Sequence, residues 1–363
     1  MLEKVHPSTV GMCEDRLERV SQWLEEQVSG ERLAGASVLI GRQGKISYMQ
    51  AVGLADKELA KSFTEDSVVR IFSMSKPITS VAVMMLYEQG CFQLDDPVAK
   101  YIPEFASTPV WRGGEASLSE TEPQSSPMLV KHLLSHTSGL TYGFMQSNVV
   151  DQEYRKEDIE FINFKHSLAE IVTRLAKIPL ICQPGSQWNY SVSTDVLGRL
   201  VEIWSGMRLA EFFQQRIFSP LQMHDTDFQV KAENQSRFSA LYGPANGVDM
   251  SSVGKADLDL DKVEPRGLTL QEGSAKSRYF KSTMSDSGGG GLVGSIGDYG
   301  RFCQMLLNGG ELDGARLLSP TTVRYMRTNQ LPNDCDMAAM GQPVWSETSY
   351  DGIGFGLGFA VVL

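Results

Sequence analysis

Cysteine is scarce and scattered. Cys13, Cys91, Cys182, Cys303 and Cys335 form no C-x-x-C pair, and their number is odd. That argues against a thiolate zinc site or a disulfide framework, and it suits a reducing compartment. Long apolar runs are also missing. The run nearest the candidate chemistry, Val81–Leu86, is far short of the roughly 18 apolar residues of a membrane helix, so no membrane partner is expected. The opening MLEKVHPSTVG has no apolar core and no small-residue cleavage site; it reads as no secretory leader, with a cytoplasmic location as the default. Acidic residues outnumber basic ones, 44 against 33, for a net charge of −11. Such a surface repels phosphate backbones, which argues against a nucleic-acid partner. No G-x-S-x-G elbow occurs, so an α/β-hydrolase lacks its nucleophile signature. The glycine run Gly288–Gly291 lacks the Gly-Lys-Ser/Thr of a phosphate-binding loop.

What is present suits a globular enzyme. Apolar residues make up 42% and charged residues 21% of 363 residues, enough for two domains or one bipartite one. The spacing of Leu17, Val20, Leu24 and Val28 predicts an amphipathic helix over 14–28. Two strands, Ala36–Gly41 and Ile46–Gly53, follow as a hairpin, and Val68–Phe72 reads as a third. From Ser73 to Tyr87 the pattern turns helical and is apolar nearly all round, which predicts a helix buried in the middle of the protein. Residues 107–127 read as loop, 167–178 and 193–205 as helices, and 228–285 as an irregular, lid-like excursion. Ser295-x-x-Asp298 opens a helix to Leu307, Ser319-Pro320 opens another, and Gly354–Leu363 alternates glycine with apolar residues and reads as a strand. The expected organisation is a discontinuous α/β domain from residues 1–72 and about 285–363, with a mainly helical domain, 73–284, inserted between them.

The sharpest chemical signal is Ser73-Met74-Ser75-Lys76. On a helix, Lys76 lies one turn beyond Ser73 on the same face. A serine hydroxyl needs a base to become a nucleophile, and an amine serves only if burial lowers its pKa. Pro77 favours a first helical turn and so places Ser73 at the helix start, where free N–H groups face a developing oxyanion. Tyr190, in Trp188-Asn189-Tyr190-Ser191 after Pro184-Gly185, is a phenol delivered by a turn that can share and relay Lys76's proton. Tyr142, Phe144 and Trp188 are candidate pocket walls, and Gly290 sits in a stretch where backbone must pass close to something.

These segments together resemble the serine hydrolases of the β-lactamase fold, closest to the family VIII carboxylesterases, with class C β-lactamases and DD-peptidases as relatives. The likeness rests on residues 73–80, Leu94-Asp95-Asp96-Pro97-Val98, His132–Leu140, Tyr190-Ser191 and Ser287-Gly-Gly-Gly-Gly-Leu292. It implies an antiparallel sheet flanked by helices with an inserted helical domain. It implies Ser73 as the acylated nucleophile, Lys76 and Tyr190 as its proton-transfer pair, and the Ser73 N–H as half of an oxyanion hole. The implied partner is a small-molecule ester, with no metal and no organic cofactor. In β-lactamases the tyrosine motif ends in Asn; here the third position is Val192, which favours an esterase. The family's third motif, of the Lys-Thr-Gly, His-x-Gly or Trp-x-Gly kind, is expected beyond the glycine-rich strand at 354–363. Trp111-Arg-Gly113 and Trp204-Ser-Gly206 match only its letters. A β-lactamase or DD-peptidase, an acyltransferase, and a non-catalytic acyl- or peptidoglycan-binding relative are the alternatives. His132 and His136 have the spacing of a zinc-binding helix, but Leu133 stands where the glutamate base belongs, so His136 reads instead as a turn hydrogen-bonder.

Overall fold

The computed structural model of the chain describes residues 2–245, 267–341 and 350–363. Helix α1 (Glu14–Ser29) buries Leu17 and Leu24. An antiparallel hairpin follows, β1 (Gly35–Arg42) with β2 (Lys45–Asp56), registered from Gly35↔Gly53 to Arg42↔Lys45. Its turn residues Gln43 and Gly44 both have positive φ, 54° and 75°, the backbone that lets a two-residue turn match the twist of the strands. β2 continues into a short β3 (Lys61–Ser62). β4 (Val68–Arg70) pairs antiparallel with the strand Val293–Ser295, Val69 opposite Gly294. That pairing joins the two flanks of the long middle segment. It places the glycine run beside the residues that follow β4, with Ile71 N–H donating to the Leu292 carbonyl at 3.0 Å.

Helix α2 (Ser75–Glu88) runs through the centre, and every residue from Ile78 to Leu86 is buried. It begins two residues later than the sequence pattern suggests, because Phe72–Met74 form a short 3₁₀ turn first. Around it lie α3 (Val130–Leu134), α4 (Val149–Lys156), α5 (Leu168–Leu175), α6 (Ser193–Ser205) and α7 (Leu209–Phe213). α6 supplies Val196, Leu197, Leu200 and Val201 to the same apolar cluster as α2, so the two pack as a buried pair. α8 (Ile296–Leu307) is capped by Ser295, whose hydroxyl accepts from Asp298 N–H at 3.4 Å. α9 (Pro320–Met326) is capped by Ser319 in the same way, at 3.1 Å to Thr322 N–H. α10 (Met337–Met340) follows.

Three readings of the sequence change. The loop over 107–127 contains a small hairpin, Val110–Trp111 with Thr121–Glu122. The excursion over 228–285 is more ordered than its polarity suggests. It holds a 3₁₀ turn at Ala232–Arg237 and an antiparallel pair, Leu241–Pro244 with Leu268–Glu272; residues 246–266 of it lie outside the described residues. The buried Arg70 side chain ties this pair to β4, bonding Glu272 at 3.0 Å and stacking 4.4 Å over the Phe238 ring. Finally, Gly354–Leu363 is a tight hairpin of Ile353–Phe355 with Ala360–Val362 rather than one strand. Its glycines serve close approach. A Cβ on Gly356 would lie 2.1 Å from the Met326 carbonyl oxygen, and one on Gly358, at φ +109°, 2.3 Å from Ser80 Cβ on α2. Glycine alternation thus mimics a strand's period of two while marking a turn pressed against helices.

This contact separates backbone strain from crowding. Gly358→Ala lowers the melting temperature more than Gly90→Ala, because a Cβ at Gly90 (φ +73°) meets nothing within 4 Å. The second change carries only the left-handed backbone cost of about 1–2 kcal/mol. Equal losses in thermal denaturation would contradict the packing of this hairpin on α2.

Candidate active site

The site starts from the turn after β4. Phe72 adopts φ +43°, a left-handed conformation that costs a non-glycine residue about 1–2 kcal/mol. It breaks the strand and swings Ser73 outward at the mouth of α2. Ser73 is exposed, while Lys76, one turn further on, is only 6% exposed. Lys76 Nζ lies 3.2 Å from Ser73 Oγ and donates to the Gly289 carbonyl at 2.6 Å. The Tyr190 hydroxyl donates to Ser73 Oγ at 2.6 Å. The Lys76 amine also sits 4.6 Å from the Tyr190 ring centre and 5.4 Å from that of Tyr142. Amine and phenol, distant in sequence, therefore converge on one hydroxyl.

Electrostatics assign the two groups different protonation states. Burial pushes the Lys76 ammonium down to about 8, against an opposing pull from the Asp195 carboxylate. Burial pushes the Tyr190 phenol up to about 12, although its bond to Ser73 acts the other way. Near neutral pH the phenol holds its proton and donates. The amine is the group that exchanges one, and once deprotonated it can accept the Ser73 proton along the same 3.2 Å contact.

Two loops hold Tyr190 in place by zipping together. Gly185 N–H donates to the Thr137 carbonyl at 2.7 Å, Asn189 N–H to His136 at 2.8 Å, and Val192 N–H to Thr141 at 3.2 Å. The Asn189 amide adds a bond to the Leu140 carbonyl at 2.8 Å. The His132–Leu140 motif is therefore the framework of the tyrosine loop. His136, at φ +55°, is fully buried; its Nδ1 lies 3.2 Å from Ser191 Oγ and its ring packs 5.1 Å from the Tyr190 ring. It is the turn hydrogen-bonder that the sequence suggests. His132 Nδ1 accepts from Leu129 N–H at 3.2 Å and caps α3. Among the described residues no group of His, Cys, Asp and Glu could hold a metal ion.

The candidate walls divide. Tyr142 stacks on Phe144 at 4.6 Å and lies 5.3 Å from Tyr190, so this pair stands beside the three polar tips. Trp188 is buried in a separate cluster with Leu331, Met337 and Phe355, and it supports the Tyr190 loop from behind. A Cβ on Gly290 would come no nearer than 3.8 Å to the Phe72 backbone. The residue that touches the chemistry is its neighbour Gly289, through its carbonyl. Trp111 lies in the small hairpin, and Trp204 at the end of α6 stacks on Phe92 at 4.0 Å, so both are packing residues.

Two buried carboxylates were not legible as site residues. Asp151 accepts from Thr141 Oγ1 at 2.7 Å and from Ser147 N–H at 2.9 Å, and so fixes the loop that carries Tyr142 and Phe144. Asp195, in the first turn of α6, accepts from Ser287 Oγ at 2.6 Å and Gly289 N–H at 3.0 Å. An acidic residue in a first helical turn reads equally well as a partner of the helix dipole, and after Ser193 and Thr194 nothing in the sequence sets Asp195 apart.

The buried His136 and the half-buried His132 give a pH dependence of stability. Burial lowers His136 from 6.5 to about 3 and His132 to about 4. Below pH 6.5 the unfolded chain binds more protons, so stability is intact above that pH and falls as pH drops, by up to about 1.4 kcal/mol per pH unit for each group. In thermal melts between pH 7 and 5, His136→Asn flattens the acid slope. An unchanged slope would contradict the neutral, buried state of His136.

Comparison with known proteins agrees with this architecture. A family model described as Beta-lactamase matches residues 20–361. The chain is 34% identical over 284 residues to Esterase EstB of Burkholderia gladioli, covering 77% of this chain and 67% of the esterase. It is 31% identical over 331 residues to Uncharacterized protein MT1414 of Mycobacterium tuberculosis, covering 91% of this chain and 75% of that protein. Among solved structures, EstCE1, described as a hydrolase with promiscuous acyltransferase activity, matches with a TM-score of 0.74 at 26% identity, over 95% of this chain and 82% of that one. With the motifs, the fold and the family model in agreement, the chain belongs to the Beta-lactamase family and has the β-lactamase/transpeptidase-like fold.

Proposed function

We propose that the chain is a serine carboxylesterase that hydrolyses small, short-acyl esters through an acyl-enzyme on Ser73. The observation that carries this reading is the convergence of a buried amine and a protonated phenol on the exposed Ser73 hydroxyl, at 3.2 and 2.6 Å. In acylation, a bond forms between Ser73 Oγ and the ester carbonyl carbon as the Ser73 proton passes to neutral Lys76. The carbonyl oxygen becomes an oxyanion, for which the family resemblance offers the Ser73 N–H as a donor. The carbon–alkoxy bond then breaks, and the leaving alcohol takes a proton relayed from Lys76 through Tyr190. Water attacks the acyl carbonyl in a second round and releases the acid, which restores Ser73. EstB, an esterase by name, supports ester substrates. Val192, which has no amide in the third place of the tyrosine motif, disfavours a β-lactam substrate.

Acyl transfer to an alcohol is the second reading. Phe72 and Met74, the sequence neighbours of Ser73, leave 41% and 46% of their surface exposed, which puts apolar surface next to the nucleophile. EstCE1, described with such an activity, points the same way.

A short-chain p-nitrophenyl ester gives a burst of p-nitrophenol and an acyl adduct on Ser73 by mass spectrometry. Ser73→Ala abolishes both, and Lys76→Ala lowers kcat/KM by about 10²–10⁴-fold. Added alcohol diverts product to a new ester if transfer competes. Turnover of a chromogenic cephalosporin at a rival rate would overturn the esterase reading in favour of a lactamase. Binding without turnover, unaffected by Ser73→Ala, would select a non-catalytic relative.

A second outcome follows from the amine. The acid limb of kcat/KM has a midpoint near 8, the value to which burial brings Lys76, with activity rising as the amine loses its proton. A limb near pH 5 would assign the base to another group.

A further inference from the structure

Gly289 is bonded on both sides of its Cα. Its N–H donates to Asp195 Oδ1 at 3.0 Å, and its carbonyl accepts from Lys76 Nζ at 2.6 Å. Asp195 is buried, 2% exposed, and it accepts from Ser287 Oγ at 2.6 Å, on the residue that opens the glycine run. The fit leaves no slack: a Cβ on Gly289 would lie 2.4 Å from Asp195 Oδ2, and one on Gly288 2.9 Å from the Thr194 carbonyl oxygen. On the α2 side, Thr79 Oγ1 holds the Gly288 carbonyl at 2.7 Å. The glycine run is thus threaded between α2 and α6. The strand pairing sets its height, the Asp195 carboxylate anchors the 288–289 peptide through the Gly289 N–H, and the Lys76 amine holds the next peptide through the Gly289 carbonyl.

We infer that Asp195 is a positioning residue, which anchors the N–H side of Gly289, the residue whose carbonyl holds the Lys76 amine beside Ser73, and balances the burial of that amine with a negative charge. This rests on the reading of Ser73 and Lys76 as nucleophile and base. The groups that face Lys76 are Asp195 from α6, the neutral phenols Tyr190 and Tyr142, and the neutral imidazole of His136. Asp195 is the carboxyl group among them; burial raises its pKa, and the Lys76 charge with the Ser287 and Gly289 donors opposes that rise. It opposes the desolvation that lowers Lys76, and it adds to the burial that raises both phenols. Its charge therefore reinforces the burial that keeps Tyr190 protonated while preventing Lys76 from falling further. A carboxylate five residues beyond the tyrosine thus acts on both halves of the proton-transfer pair without touching the substrate.

The test reads the nucleophile directly. A fluorophosphonate forms a bond from Ser73 Oγ to phosphorus and expels fluoride, while the Ser73 proton passes to Lys76; intact-protein mass spectrometry follows the rate against pH. In wild type the rate rises with a midpoint near 8. Asp195→Asn, which keeps an acceptor oxygen for Ser287 and Gly289 but removes the charge, shifts the midpoint down by about one pH unit or more. Asp195→Ala, which also removes both hydrogen bonds, shares the downward shift and labels more slowly at its high-pH plateau, and it serves if Asp195→Asn does not fold. Ser287→Ala, which leaves the charge in place with one donor fewer, keeps the wild-type midpoint. A wild type that labels, with midpoints unmoved in Asp195→Asn and Asp195→Ala, overturns this inference alone. A wild type that never labels overturns the proposed function with it.

Discussion

The site depends on the cost of keeping a charge out of water. Lys76 projects from a helix whose surroundings are almost entirely apolar, and removal from solvent brings its pKa from 10.5 to about 8. One pKa unit corresponds to about 1.4 kcal/mol, so burial makes a neutral amine available near physiological pH where an exposed lysine offers almost none. The same burial keeps the Tyr190 phenol protonated. One physical effect, acting on a cation and on a phenol, gives a base and a donor around a single serine.

The rest of the fold keeps that arrangement dry and aligned. α2 and α6 pack as a buried pair and carry Lys76 and Asp195. The pairing of β4 with Val293–Ser295 brings the glycine run against the start of α2, and Leu292 N–H reaches Ser75 Oγ at 3.2 Å. The zipped loops behind His136 present Tyr190, and Asp151 ties down the aromatic wall. Lys76, Asp195, Asp151 and His136 each meet a hydrogen-bond partner, as low-dielectric surroundings require. The exposed exception is Ser73, raised toward solvent by the left-handed Phe72.

Much of this is legible in the chain before any coordinates. The three-residue spacing of Ser73 and Lys76, Pro77 and the all-apolar helix after them point to a nucleophile beside a desolvated amine. The family resemblance adds Tyr190. Long-range consequences are less visible. That β4 pairs with residues 293–295 cannot be read from two short apolar stretches, and neither can the roles of Asp195 and Asp151, whose partners are distant or are backbone groups. Trp188 sits in the tyrosine motif but is buried among Leu331, Met337 and Phe355, a cluster against which Tyr190 also packs. The terminal hairpin misleads for a stated reason: glycine placed for close packing against Ser80 and Met326 copies the alternation of a strand.

The central claim concerns the protonation of one amine, and it can be observed without substrate. With lysine labelled at Cε, one carbon resonance, absent in Lys76→Met, titrates near pH 8. The account is contradicted if that resonance titrates at 10.5 with the surface lysines, for then burial does not free the amine to act as a base.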